Sequence, residues 1–86
     1  MSDLATIQKA LGDYILGEIL LRKAPLGADE DLFAAGFDSL SLSRVLVFVE
    51  ERFGVVIPDQ DVVLDEVSTL TKMARFVEER VRAAGK

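Results

Sequence analysis

Apolar residues recur along this chain at the spacing of buried helix faces, and no stretch alternates as a strand would. Leu4, Ile7, Leu11, Ile15 and Ile19 follow one another at steps of three and four, which predicts an amphipathic helix over about residues 3 to 22. Gly12 and Gly17 fall inside it at a cost in helix propensity. Pro25 marks its end, because the residue before a proline avoids helical angles. A second helix is predicted over about 39 to 53, with Leu42, Leu46, Val49 and Phe53 as its core-facing stripe. Gly54 is placed to stop it in the left-handed conformation. A short third helix is expected over 59 to 66, after Pro58 and capped by Asp59. The last runs over about 69 to 83, begins near Ser68 and buries Leu70, Met73, Ala74, Val77 and Val81. Arg80 and Arg82 complement its negative end. The expectation is an all-α fold: a four-helix bundle of three long helices and one short third helix, in a single domain over residues 1–86.

Two features break this regular plan. Residues 23 to 37 form the longest connection, and a loop of that length in a small domain is either functional or pinned by its own side chains. Leu26, Leu32 and Phe33 are the expected pins. The second helix also departs from the rule that a surface helix is polar on its outer face, because Leu40, Arg44, Val47 and Glu51 share that face. Leu40 or Val47 alone would be an ordinary exposed apolar residue. Together, ringed by Arg44, Glu50 and Glu51, they read as a small partner-docking patch.

Composition narrows the chemistry. At 86 residues and 50% hydrophobic, the chain can bury one apolar core without disulfides or metals. It contains no histidine and no cysteine, which removes Ser-His and Cys-His nucleophilic catalysis and fits a reducing compartment. No apolar run is long enough to span a bilayer and the first residues lack a signal pattern, so a soluble cytoplasmic protein is expected. The net charge of −5 is unevenly spread: residues 29 to 66 hold ten acids and two bases, whereas residues 67 to 86 come to +3. Such an acidic field makes nucleic acid and anionic membranes poor partners and Lys/Arg-rich protein surfaces good ones. Asp59, Asp61, Asp65 and Glu66 lack the spacing and central glycine of a calcium loop, so no metal site is expected.

The charge surrounds Gly36-Phe37-Asp38-Ser39-Leu40, which sets one serine between a glycine-bearing loop and a long helix. Asp38 and Ser39 suit the capping of a helix start. A hydroxyl there, flanked by an acid and lacking any base in the chain, is also placed to be modified by another enzyme. The segment Asp31-Leu32-Phe33-Ala34-Ala35-Gly36-Phe37-Asp38-Ser39-Leu40 resembles the attachment motif of the phosphopantetheine-binding carrier proteins, Asp-Ser-Leu after a Gly-containing loop and before a long helix. Further on, Glu50-Glu51-Arg52-Phe53-Gly54-Val55-Val56-Ile57-Pro58-Asp59 is similar to the Glu-Glu-x-Phe-x-x-x-Ile-Pro-Asp segment of acyl carrier proteins. The likeness extends over nearly the whole chain.

That resemblance implies a non-catalytic carrier of the stand-alone acyl carrier type. A phosphopantetheinyl transferase would move 4'-phosphopantetheine from coenzyme A onto Ser39, with Asp38 helping it to place metal and phosphate. The arm's thiol would then hold an acyl group as a thioester. The implied partners are an acyl-activating ligase, a ketosynthase or an acyltransferase, and a monomer is the default state. Val45, Leu46, Leu64 and Val67 are candidates for lining a space around the cargo, with plain core packing as the alternative. Fatty-acid carriers usually place an acid where this chain has Arg44, and the stretch from Ile57 to Val67 is longer than theirs. Both departures favour a specialised acyl or polyketide-type pathway over housekeeping fatty-acid synthesis. Peptidyl carriers typically show Gly-Gly-x-Ser, so Gly36-Phe37-Asp38-Ser39 favours acyl cargo. An aminoacyl or peptidyl carrier, and an unmodified helical interaction module, remain as alternatives.

Overall fold

A computed structural model of the chain describes residues 3–21 and 25–85. Helix α1, Leu4–Tyr14, starts at Asp3, whose Oδ1 accepts the Thr6 amide at 2.8 Å. The sequence predicts one α-helix to residue 22, but after Tyr14 the chain widens into a π-helical segment, Ile15–Leu20, and Leu21 leaves it at φ 51°. Gly12 and Gly17 bracket that change, and glycine holds the ordinary helical ladder least firmly. Arg22, the expected last helical residue, lies outside the described residues. The predicted core face holds: Ile7, Leu11 and Ile15 are buried, and Leu4 and Ile19 pack against the core.

Helix α2, Ser39–Phe53, and helix α3, Leu70–Ala83, match their predicted spans to within a residue. Asp38 caps α2, and Gly54 stops it in the left-handed region at φ 71°. Thr69 caps α3 through a 3.1 Å bond from the Lys72 amide. Leu42, Leu46, Val49 and Phe53 are all buried, as is Val45 beside them. On α3 the expected Leu70, Met73, Ala74, Val77 and Val81 are joined in the core by Phe76. α1 lies close on α3 at Gly12, where an added Cβ would come within 3.1 Å of Leu70 Cδ2.

The short third helix is not one helix but two 3-10 turns, Asp59–Asp61 and Leu64–Val67, separated by extended Val62 and Val63. Two adjacent β-branched residues favour that extended break. Asp59 is not the cap but the first residue of the first turn, whose N-cap is Pro58. The first turn is held to α3 by Arg80, whose guanidinium meets Asp61 Oδ2 at 3.3 Å and lies 5.2 Å from the centre of the Phe76 ring. The three long helices and no strand among the described residues give the all-α bundle that the periodicity predicts.

Candidate functional site

The loop before α2 is pinned from several directions. Leu32 is fully buried, while Leu26 and Phe33 are half-buried against the core. The Leu32 amide donates to the Ser68 carbonyl at 2.9 Å, and the Thr71 amide and hydroxyl donate to the Ala28 carbonyl at 3.0 and 3.1 Å. These bonds fasten the loop to the start of α3. Asp31 Oδ1 accepts the amides of Phe33 and Ala34, turning the chain toward Gly36, whose φ of 109° suits a residue without a Cβ. Phe37 then inserts its ring into the core, edge-on to Phe33 at 5.8 Å, and its amide closes back on Leu32. The sequence reading missed Phe37 as a pin, although a large aromatic one residue before a cap is a signal of the hydrophobic anchor that sets a helix's entry angle.

Asp38 follows in extended conformation and caps α2: its Oδ1 accepts the Ser41 amide at 2.8 Å and the Ser41 hydroxyl at 2.9 Å. Those two bonds, the amide's first, hold the Asp38 carboxyl below its ordinary value and keep it charged. Ser39 is the first residue of α2 and is exposed. Its hydroxyl makes no hydrogen bond among the described residues. The neighbouring serines are committed otherwise, Ser41 to Asp38 and Ser43 Oγ to the Ser39 carbonyl at 3.3 Å. The first turn of α2 therefore presents one free hydroxyl, beside a carboxylate and at the positive end of a helix dipole.

The outer face of α2 is as the spacing predicts. Leu40 is 73% and Val47 57% exposed, and Arg44, Glu50 and Glu51 are exposed around them. The four residues offered as lining for cargo separate. Val45, Leu46 and Val67 are buried within the packed core, whereas Leu64 is 56% exposed and lines an outward cleft with Phe33, Asp29, Asp31 and Asp65. No group of three or more His, Cys, Asp or Glu residues is gathered as a metal site among the described residues. No helix there is long and apolar enough to cross a membrane.

A free helix-start serine behind a pinned glycine loop is the arrangement that a covalent arm would need, and residues 14–77 match the family described as the phosphopantetheine attachment site. The chain belongs to that family. Its members are non-catalytic carriers that bear a covalent 4'-phosphopantetheine and work with phosphopantetheinyl transferases and ligases. The carrier is also 40% identical over 52 residues to proteins named D-alanyl carrier protein from Streptococcus pyogenes, among them those of serotype M1 and of serotype M49 strain NZ131. Each match takes in 59% of this carrier and 66% of the relative, so the chain spans just under two thirds of the relatives' length.

Proposed function

We propose that Ser39 is the attachment residue and that the arm it bears carries a short aminoacyl group to partner enzymes. The observation that carries the choice of residue is the free Ser39 hydroxyl, exposed at the helix start while Ser41 and Ser43 are hydrogen-bonded. The first-turn amides and the helix dipole favour the negative phosphodiester that attachment would leave there. When bound, the arm supplies a thiol, absent from this chain, and holds its cargo as a reactive thioester. The chain's own part is to fix the anchor point and to be recognised. Leu40, Arg44, Val47, Glu50 and Glu51 form the surface proposed for that recognition, with two apolar contacts inside a charged rim.

The likeness to proteins named as D-alanyl carriers supports aminoacyl cargo over the fatty-acyl or polyketide cargo favoured by the Phe37-Asp38 pair. Burial of Val45 and Val67, and the outward, carboxylate-lined setting of Leu64, also favour a short cargo that stays in solvent. A specialised acyl pathway, with a ketosynthase or acyltransferase as partner, is the second reading. Its support is the missing Gly-Gly-x-Ser pattern.

The test begins with the purified protein, coenzyme A and a broad-specificity phosphopantetheinyl transferase, followed by intact mass. One phosphopantetheine-sized increase is expected in the native chain and none in Ser39→Ala. An increase that persists in Ser39→Ala would move the attachment elsewhere. The modified protein is then offered to an amino-acid-activating ligase and to an acyl-activating ligase, and loading by the second alone would sink the aminoacyl reading.

A further inference from the structure

Ser41 is the buried polar residue of the described chain, 9% exposed, and helix capping does not account for its hydroxyl. The Ser41 amide already gives Asp38 its capping bond at 2.8 Å. Alanine would keep that bond, favour the helix more and bury no polar atom. The hydroxyl instead makes a second bond, at 2.9 Å, to the same oxygen, Asp38 Oδ1. Both Ser41 bonds thus fall on Oδ1, and Asp38 is exposed beside Ser39.

We infer that Ser41 is a positioning residue for the modification of Ser39: its hydroxyl locks Oδ1 of Asp38, so that Oδ2 is presented to the divalent cation that the transferase brings with coenzyme A. This rests on Ser39 being the attachment residue. In that reaction Ser39 Oγ attacks the phosphorus that bears the pantetheine, and its proton passes to a base on the transferase. The new Ser–O–P bond replaces the P–O bond of the pyrophosphate, and adenosine 3',5'-bisphosphate leaves with the electron pair. A cation spanning the pyrophosphate neutralises charge on the phosphorus being transferred and on the leaving group, so a carboxylate oxygen fixed next to the nucleophile aligns the two. A carboxylate held by two donors on one oxygen has lost the rotation that would misdirect the other.

The test measures initial rates of modification of the full-length apo protein with coenzyme A, Mg2+ and a broad-specificity transferase. Losing one hydrogen bond to a charged group corresponds to about tenfold. Ser41→Ala is therefore expected to lower kcat about tenfold with little change in KM for the carrier. Ser41→Thr should stay within about threefold of native, and Ser41→Val, of the same shape but without a hydroxyl, should fall with Ser41→Ala; this pair serves if Ser41→Ala does not fold. In an Asp38→Asn background the Ser41→Ala change should have no further effect. Native rates in Ser41→Ala, a loss confined to KM, no difference between the Thr and Val variants, or an equal loss in the Asp38→Asn background would each overturn the role. A native chain left unmodified beside a modified control carrier would remove the Ser39 reading itself, and this role with it.

Discussion

The starts of α1 and α2 are built from the same parts and end up with different capacities. Each has an aspartate in extended conformation as cap, Asp3 and Asp38, and each aspartate accepts the amide three residues on, Thr6 or Ser41, at 2.8 Å. Each carries a hydroxyl at that third position, and both carboxyls are held below their ordinary value. The differences lie around the cap. At α1 the first helical residue is a half-buried leucine, Leu4, and Thr6, whose amide makes the capping bond, is exposed. At α2 the first residue is an exposed serine, Ser41 is buried and doubly bonded to the cap, and the preceding loop is nailed down at Leu32 and Phe37. Capping chemistry stabilises both helices. What sets α2 apart is a free hydroxyl held in a fixed frame, so the α1 cap is a built-in control for every claim made about the other.

The sharpest break of the comparison is to copy the motif. Leu4→Ser gives α1 the same Asp-Ser start, yet the transferase is expected to add nothing there; in a Ser39→Ala background the mass should not change at all. Modification of the transplanted serine would mean that cap and hydroxyl suffice and that the pinned loop is irrelevant. Next in size is the loop itself. Phe37 is a fully buried ring, and Phe37→Ala should destabilise the protein by about 3–5 kcal/mol in urea unfolding. A loss under about 1 kcal/mol would show that the loop is held by its backbone bonds alone. Smaller again are the caps. Asp3→Ala and Asp38→Ala should each lower Tm by about 5 °C, but only Asp38→Ala should slow modification. Equal slowing by both would reduce Asp38 to a structural cap.

The sequence disclosed α2 well because its message is local. Burial of Leu42, Leu46, Val49 and Phe53 and exposure of Leu40 and Val47 follow from one period of 3.6, with a cap and a glycine stop at the ends. The regions it misread depend on contacts distant in sequence. The segment from Asp59 to Val67 is tied by Arg80 to Asp61 and, just past its end, by the Ser68 carbonyl to Leu32, so α3 and the loop hold in place the break that Val62 and Val63 favour. Leu64, at the start of the second turn, is exposed. The π-helical widening after Tyr14 has no apolar periodicity of its own, and the two glycines only permit it. Within the site, Ser39 and Asp38 stood out by motif, but Ser41 was concealed in the run Ser39-Leu40-Ser41-Leu42-Ser43, where nothing local says which hydroxyl is buried.

Acid titration tests the comparison at its finest level. Both Asp3 and Asp38 are held below the ordinary aspartate value of 3.8, chiefly by the backbone amide three residues on and next by that residue's hydroxyl. A carboxyl that titrates lower in the folded than in the unfolded chain binds fewer protons when folded. Its contribution is therefore complete above 3.8 and is lost as pH falls through the lower folded value. The stability gap between the native protein and Asp3→Asn, or Asp38→Asn, should be constant from neutral pH down to about 5 and close as pH drops below about 4. Urea unfolding across that range reads it directly. If the buried Ser41 hydroxyl gives Asp38 more support than Thr6 gives Asp3, the Asp38→Asn gap should persist to lower pH, and Ser41→Ala should bring the two curves together. Two gaps that close at the same pH, unmoved by Ser41→Ala, would mean that the extra hydrogen bond does nothing to the charge it touches.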